Sequence, residues 1–167
     1  MTIAHNRKVR WVVLALWASV AGAQTAPPPP EWVEETPPAP PAFTTDQLIP
    51  IEMPRYVSVD VGVDPATITV STDRVVRYVV VMRNASGASS AAYEGLRCTT
   101  DEVKTYARFG AAGQWVAVKE PEWKPINGNM PSKHAFAIAR QGACDTHLSS
   151  NREETIRLLK QRQRIAR

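Results

Sequence analysis

The stretch that most limits how this chain can fold is Val75 to Met82, eight residues that are apolar except for Arg77 and contain five valines. With no Gly or Pro and this many β-branched side chains, it reads as a central strand of a sheet. Its surroundings are of the same kind. Val57, Val59 and Val61 alternate with Ser58 and Asp60 from Tyr56 onward, predicting a strand with one buried face. Asp64-Pro65 signals a turn, and Ile68 and Val70 alternate with polar residues in a second strand. Thr72-Asp73-Arg74 predicts a tight turn before the central strand, and the small polar run 84–90 an exposed loop after it. Three more strands are predicted at Tyr93–Cys98, Val103–Phe109 and Gln114–Val118, with Gly110 and Gly113 bracketing the last hairpin. Short connections between successive strands favour an antiparallel meander of about five to six strands.

Beyond Val118 the period changes. Pro121, Pro125, Gly128 and Pro131 mark an irregular crossing. Ser132 is a suitable N-cap for a short helix that places Ala135, Ile138 and Ala139 on one face and stops at Gly142. A second helix is expected over 151–167, where Ile156, Leu158, Leu159 and Ile165 make no single clean stripe. Docking is therefore expected to be weak, so that a chain ending at Ser150 keeps its fold. The fold class is α+β: the meander, a short helix on one face, and a basic C-terminal helix.

The N-terminus carries the three parts of a secretion signal. Arg7, Lys8 and Arg10 are basic, Trp11–Val20 is apolar apart from Ser19, and Ala21-Gly22-Ala23 is a small-x-small cleavage pattern. The apolar run is shorter than the roughly 20 residues a bilayer span needs. The mature chain is expected to start at Gln24, with no transmembrane span and an address in the periplasm or at the outer membrane. Residues 24–42 are dominated by Pro and Ala and read as an extended, solvated spacer. Residues 43–150 form the α+β domain and 151–167 the tail.

Export decides how charge and cysteine are read. The signal holds three of the 20 bases and none of the 16 acids, so 17 and 16 remain, and the basicity that could suggest nucleic-acid binding disappears. What persists is the tail, where Arg157, Lys160, Arg162, Arg164 and Arg167 follow the last acid, Glu154. An anionic envelope surface or an acidic protein partner is the matching expectation. Cys98 and Cys144 enter an oxidising compartment, where a pair is normally bridged. Two free thiols or an intermolecular bridge are the alternatives. The bridge is expected to pin the short helix to the sheet.

One set of residues carries a family resemblance. Val76-Arg77-Tyr78, Tyr93-Glu94-Gly95-Leu96-Arg97-Cys98, Trp115, Trp123-Lys124-Pro125-Ile126 and His134 ten residues before Cys144 resemble the cryptic neisserial protein-like family over roughly residues 45–145. The resemblance implies an exported proteobacterial protein with no assigned biochemistry. In the order of strands, Cys, Trp-x-Pro, helix and Cys, the chain more distantly resembles surface adhesin E, which implies a shared layout.

No catalytic constellation, metal set or cofactor motif emerges. Cys144, Asp145 and His147 with His134 lack ligand spacing on one helix, and there is no nucleophile elbow or phosphate loop. Glu94 and Arg97 must point to opposite faces of their strand, and Glu94, on the Leu96 side, needs a partner such as His134 or Arg140. Glu94, Arg97 and His134 are thus candidates for structural ties or ligand contacts. Trp115 and Trp123 are candidates for core cover or for stacking on a ligand. The function expected is a non-catalytic envelope protein that binds an envelope component or a protein. A surface-exposed adhesin-like binder is the alternative, and an envelope-polymer hydrolase a more remote one.

Overall fold

A computed structural model describes residues 31–128 and 133–165, with side chains through Arg162. The signal, the first part of the Pro-rich segment, the Ser132 cap and the side chains of Arg164 and Arg167 lie outside the described residues.

The central strand is where the valine run places it. It spans Val75–Arg83 (β4), following β1 (Ile49–Ile51), β2 (Asp60–Val63) and β3 (Thr69–Val70). Then come β5 (Ser89–Arg97), β6 (Glu102–Phe109), β7 (Trp115–Ala117) and β8 (Lys124–Pro125). All described pairs are antiparallel, in the order β1-β2-β4-β5-β6-β7, with β3 also on β4 and β8 on β6. The meander has eight strands because two short edge pieces join it. Ile-Pro-Ile at β1 pairs despite its proline, which an edge position tolerates. The alternation 57–61 forms a strand only from Asp60, because Pro54 starts a turn closed by Val57 N–H donating to Pro54 O at 2.8 Å.

The sheet is buried on both faces. Val76, Tyr78, Val80, Ala92, Leu96 and Cys98 pack under the helices, while Val79, Val81, Ala91, Tyr93, Tyr106 and Ala107 pack on the other side against Phe43, Leu48, Phe109 and Trp115. A bulge between Tyr93 and Glu94 sets Tyr93 opposite Ala107 and Glu94 opposite Thr105, leaving Tyr106 as the extra residue on β6.

On the first face lies α1 (His134–Ile138), continued by a wide turn, Ala139–Ala143, that breaks from helical geometry at Gly142 with φ +142°. Cys98 and Cys144 are bridged, fixing the end of this turn to the end of β5. The last helix, α2, spans Arg152–Ile165 and is docked, contrary to the expectation of a loosely held tail. Leu159 is 1% exposed and Thr155 fully buried. The stripe that buries α2 is Arg152, Thr155, Ile156 and Leu159, at helical spacing but only half apolar, so counting apolar residues misses it. Gly142 makes the approach possible, since a Cβ there would lie 2.7 Å from Leu158 Cβ. Gln141 completes the seam, its Nε2 donating to Leu159 O at 3.0 Å and to Pro50 O at 2.8 Å. Arg152 donates to Ile68 O and Pro65 O across the sheet edge. A chain ending at Ser150 would leave this seam open.

Candidate functional site

Tyr93-Glu94-Gly95-Leu96-Arg97 form the end of β5 and Cys98 follows it, and alternation sends successive side chains to opposite faces. Toward the helices, Glu94 (1% exposed) meets His134 (4% exposed), with Nε2···Oε2 at 2.8 Å. The same carboxylate accepts from Tyr78 Oη at 3.3 Å and from Thr105 Oγ1 at 3.1 Å. His134, not Arg140, is therefore the partner that Glu94 requires. Burial, reinforced by the neighbouring Glu94 charge, pushes the Tyr78 hydroxyl well above its ordinary range, so it stays a donor to that carboxylate.

On the opposite face the chain lays down an element that the proline content conceals. The residues from Trp32 to Phe43, all but the last within the spacer expected to be solvated, run extended across the sheet as a strap. Extended backbone is what the prolines dictate, but three residues between them, Trp32, Glu34 and Glu35, supply anchors. Trp32 Nε1 donates to Asp73 O at 2.9 Å, and its ring carries the Arg97 guanidinium at 3.7 Å from the centroid. Glu34 accepts from Lys104 Nζ at 2.7 Å, Tyr106 Oη at 2.9 Å and Trp123 Nε1 at 3.1 Å. Glu35 N–H donates to Asp73 Oδ2 at 3.1 Å, and Glu35 O accepts from Arg77 at 3.2 Å. At the far end Trp115 Nε1 donates to Pro41 O at 3.1 Å, and Phe43 packs edge-on against Phe109.

The candidate residues thus fall into two groups. Glu94 and His134 tie the sheet to α1, whereas Arg97, Trp115 and Trp123 hold the strap. Gly95 is needed because a Cβ would stand 2.6 Å from the Tyr106 hydroxyl, which the bulge turns toward Glu34. The strap residues Trp32 and Glu34, and the pair Asp73–Arg77, are what sequence reasoning missed. The available signal was Arg77 itself, the one charge inside the apolar run, with Asp73 four residues before it. In the structure they form a fully buried ion pair at 2.6 Å.

His147 lies in the exposed segment after Cys144, 3.1 Å from Asp101, and so is not gathered with His134. In the tail, Arg157 pairs with Glu154, Arg162 donates to Arg140 O, and Lys160 is exposed.

The electrostatics make the strap acid-sensitive. Burial works against ionisation of Glu34, but hydrogen bonds from Lys104, Tyr106 and Trp123 outweigh it and hold the carboxyl below its ordinary 4.5. Burial likewise opposes ionisation of Asp73, and Arg77 with the Val75 and Glu35 N–H groups brings it below 3.8. A depressed carboxyl adds stability that is complete above its unfolded value and is lost as pH falls through its folded one. Tryptophan fluorescence should therefore be constant from about pH 7 to about pH 5 and shift below about pH 4, as Trp32, Trp115 and Trp123 leave their sites. Glu34→Gln, which cannot be a charged acceptor for Lys104, should show part of that shift already at neutral pH. An unchanged spectrum in both tests would mean that Glu34 does not hold the strap.

A model for proteins described as the CNP1-like family matches residues 28–160. That span takes in the strap and the greater part of α2, so the family unit is wider than the 45–145 resemblance suggests. Cryptic neisserial protein 1 of Neisseria gonorrhoeae is 25% identical over 111 residues, covering 59% of this chain and 55% of that protein. The chain thus spans about half the length of this relative. No solved structure matches the chain.

Proposed function

For this chain, which belongs to the CNP1-like family, we propose a non-catalytic role in the bacterial envelope: binding an envelope component or a protein partner. Export is supported by the N-terminal signal pattern and by the bridged cysteines. No helix among the described residues is long and apolar enough to cross a membrane.

The observation that carries the non-catalytic reading is the enclosure of Glu94 and His134. Glu94 and His134, a carboxylate and an imidazole at 2.8 Å, could in principle exchange a proton, yet both are buried, and Glu94 is further occupied by Tyr78 and Thr105; the other described pair of this kind, Asp101 and His147, lies at the surface. A proton-transfer group must come within hydrogen-bond reach of the substrate, and the Glu94–His134 pair is walled in by the sheet and α1. The neighbouring motif residues are equally committed: Gly95 to Tyr106, Arg97 to Trp32, Cys98 to Cys144. The surface, by contrast, keeps large apolar side chains in water at Tyr56, Val116 and Leu148.

Photo-crosslinking in living cells tests the role. The full-length chain, carrying a benzophenone amino acid in place of Tyr56, Val116 or Leu148, should give a discrete adduct in the envelope fraction. The mature N-terminus there should be Gln24. Recovery in the cytosol, or no adduct from any of the three positions, would overturn the proposal. Protease added to intact cells separates periplasmic residence from surface display, the adhesin-like alternative.

A further inference from the structure

Three depressions meet on the surface around α1, and Phe136 lines all of them. The largest, about 450 Å³, is bounded by Glu52, Met53, Pro54, Ala137, Arg140 and Arg162. A second of about 200 Å³ lies toward Tyr56, Asn127 and Lys133, and a third of about 140 Å³ toward Ile126 and Cys144. Phe136 is 38% exposed on a helix whose other described side chains are buried, and Tyr56 beside it is 79% exposed. Phe136 and Tyr56 thus set aromatic surface among the depressions, beside Met53, Pro54 and Ala137.

The rim is cationic. Arg140 and Arg162 both line the largest depression, Arg162 Nη1 donating to the backbone O of Arg140, and neither is in an ion pair among the described residues. Lys133 borders the second depression and Glu52 is the acid on the rim of the first. Asp101, at the edge of the third, is matched by His147.

We infer that this groove takes an extended acidic segment of a protein partner, with an apolar side chain against Phe136 and a carboxylate on the Arg140–Arg162 pair. The inference rests on the reading of the domain as a binder and names the surface and the chemistry of its partner. Charge complementarity selects an anionic occupant, and guanidinium forks match carboxylates bidentately. Concavity favours a polypeptide over a bilayer: the depressions on either side of Phe136 are hollows that the side chains of an extended chain can fill.

A random seven-residue peptide library displayed on phage, selected on the full mature protein, tests this. Selected peptides should be enriched in Asp or Glu beside Phe, Leu or Trp. Their synthetic versions should lose affinity on the order of tenfold with Arg140→Glu/Arg162→Glu and with Phe136→Ala, and should weaken as salt rises. All three side chains are exposed, so the variants should keep the parent circular dichroism and disulfide. No enrichment, enrichment without acids, or affinity indifferent to both variants overturns the inference. So does binding to phosphatidylglycerol vesicles that needs the two arginines while no peptide is selected, which would assign the groove to a membrane. Cellular adducts at Val116 or Leu148 without peptide selection would refute the groove and leave the binding role standing; peptide selection without adducts at any of the three positions would keep the groove as a peptide site and overturn only the envelope role.

Discussion

Replacing Cys98 and Cys144 together by serine should lower stability by about 4 kcal/mol, with a fall in melting temperature of roughly 14 °C. The bridge closes a loop with a sequence separation of 46, and the estimate is the chain entropy that such a closure removes from the unfolded state. What lies inside the loop makes the effect larger than local. Between the two cysteines run β6, β7, β8, α1 and the wide turn, so the bridge joins the end of β5 to the layer that seats α2. Cys98 itself is buried in the helix-side core. Reduction of the parent protein should reproduce the loss, and non-reducing peptide mapping should find the two peptides linked. A double-serine variant that melts within about 2 °C of the parent would mean that packing of α1 through Ala135 and Ile138 suffices to hold this layer.

The parts of this fold that were legible beforehand are those that obey a period. The valine run, the β5–β6–β7 succession and the Gly110–Gly113 hairpin each follow from alternation and turn chemistry, and each stands within a few residues of its expected place. The need of Glu94 for a partner was also legible, since a carboxylate facing a helix cannot be buried alone. The strap was not. Proline dictates extended backbone without saying whether that backbone lies in water or on a sheet, and the anchors among the prolines are one Trp and two Glu, types normally assigned to the surface. The docking of α2 was hidden for a related reason. Its inward stripe contains Thr155 and the half-buried Arg152, which is held by hydrogen bonds to Ile68 O and Pro65 O, and its approach to the turn is licensed by a glycine in a different element.

Both omissions share a physical origin. Here polar side chains do the joining: Glu34 takes three donors, Gln141 bridges the turn to α2 and to β1, and Asp73 links the strap to β4. Such contacts leave no hydrophobic periodicity in the sequence. They also explain how a sheet with a single helical layer can carry a second buried face, because a strap of about a dozen residues covers what would otherwise be exposed Tyr93, Tyr106 and Phe109.

Asp73→Ala should cost about 3–5 kcal/mol, because it strands the guanidinium of Arg77 in the interior. Arg77 and Asp73 have no exposed side-chain surface, and two of the Arg77 nitrogens donate to the carboxylate, at 2.6 and 3.2 Å. Without that acceptor the remaining partners of the guanidinium are Ser71 Oγ, Glu35 O and the Tyr106 ring at 5.8 Å, all neutral, so a full charge stays desolvated. The variant also removes the acceptor for Glu35 N–H and Val75 N–H, so strap and strand loosen together. Adding Arg77→Met removes the orphaned charge while keeping most of the volume, and replacing both members of a buried pair is far less costly than removing one. The double variant should therefore regain more than half of the loss, read as a urea midpoint that moves back toward the parent value at unchanged slope. The strap hydrogen bonds remain absent in that double variant, so its residual deficit measures what the strap gains from Asp73. If Asp73→Ala alone costs less than about 1 kcal/mol, the pair is hydrated in solution and does not anchor the strap. If the double variant is as unstable as the single one, the lost N–H acceptors rather than the stranded charge dominate, and Asp73 acts chiefly as a backbone clasp.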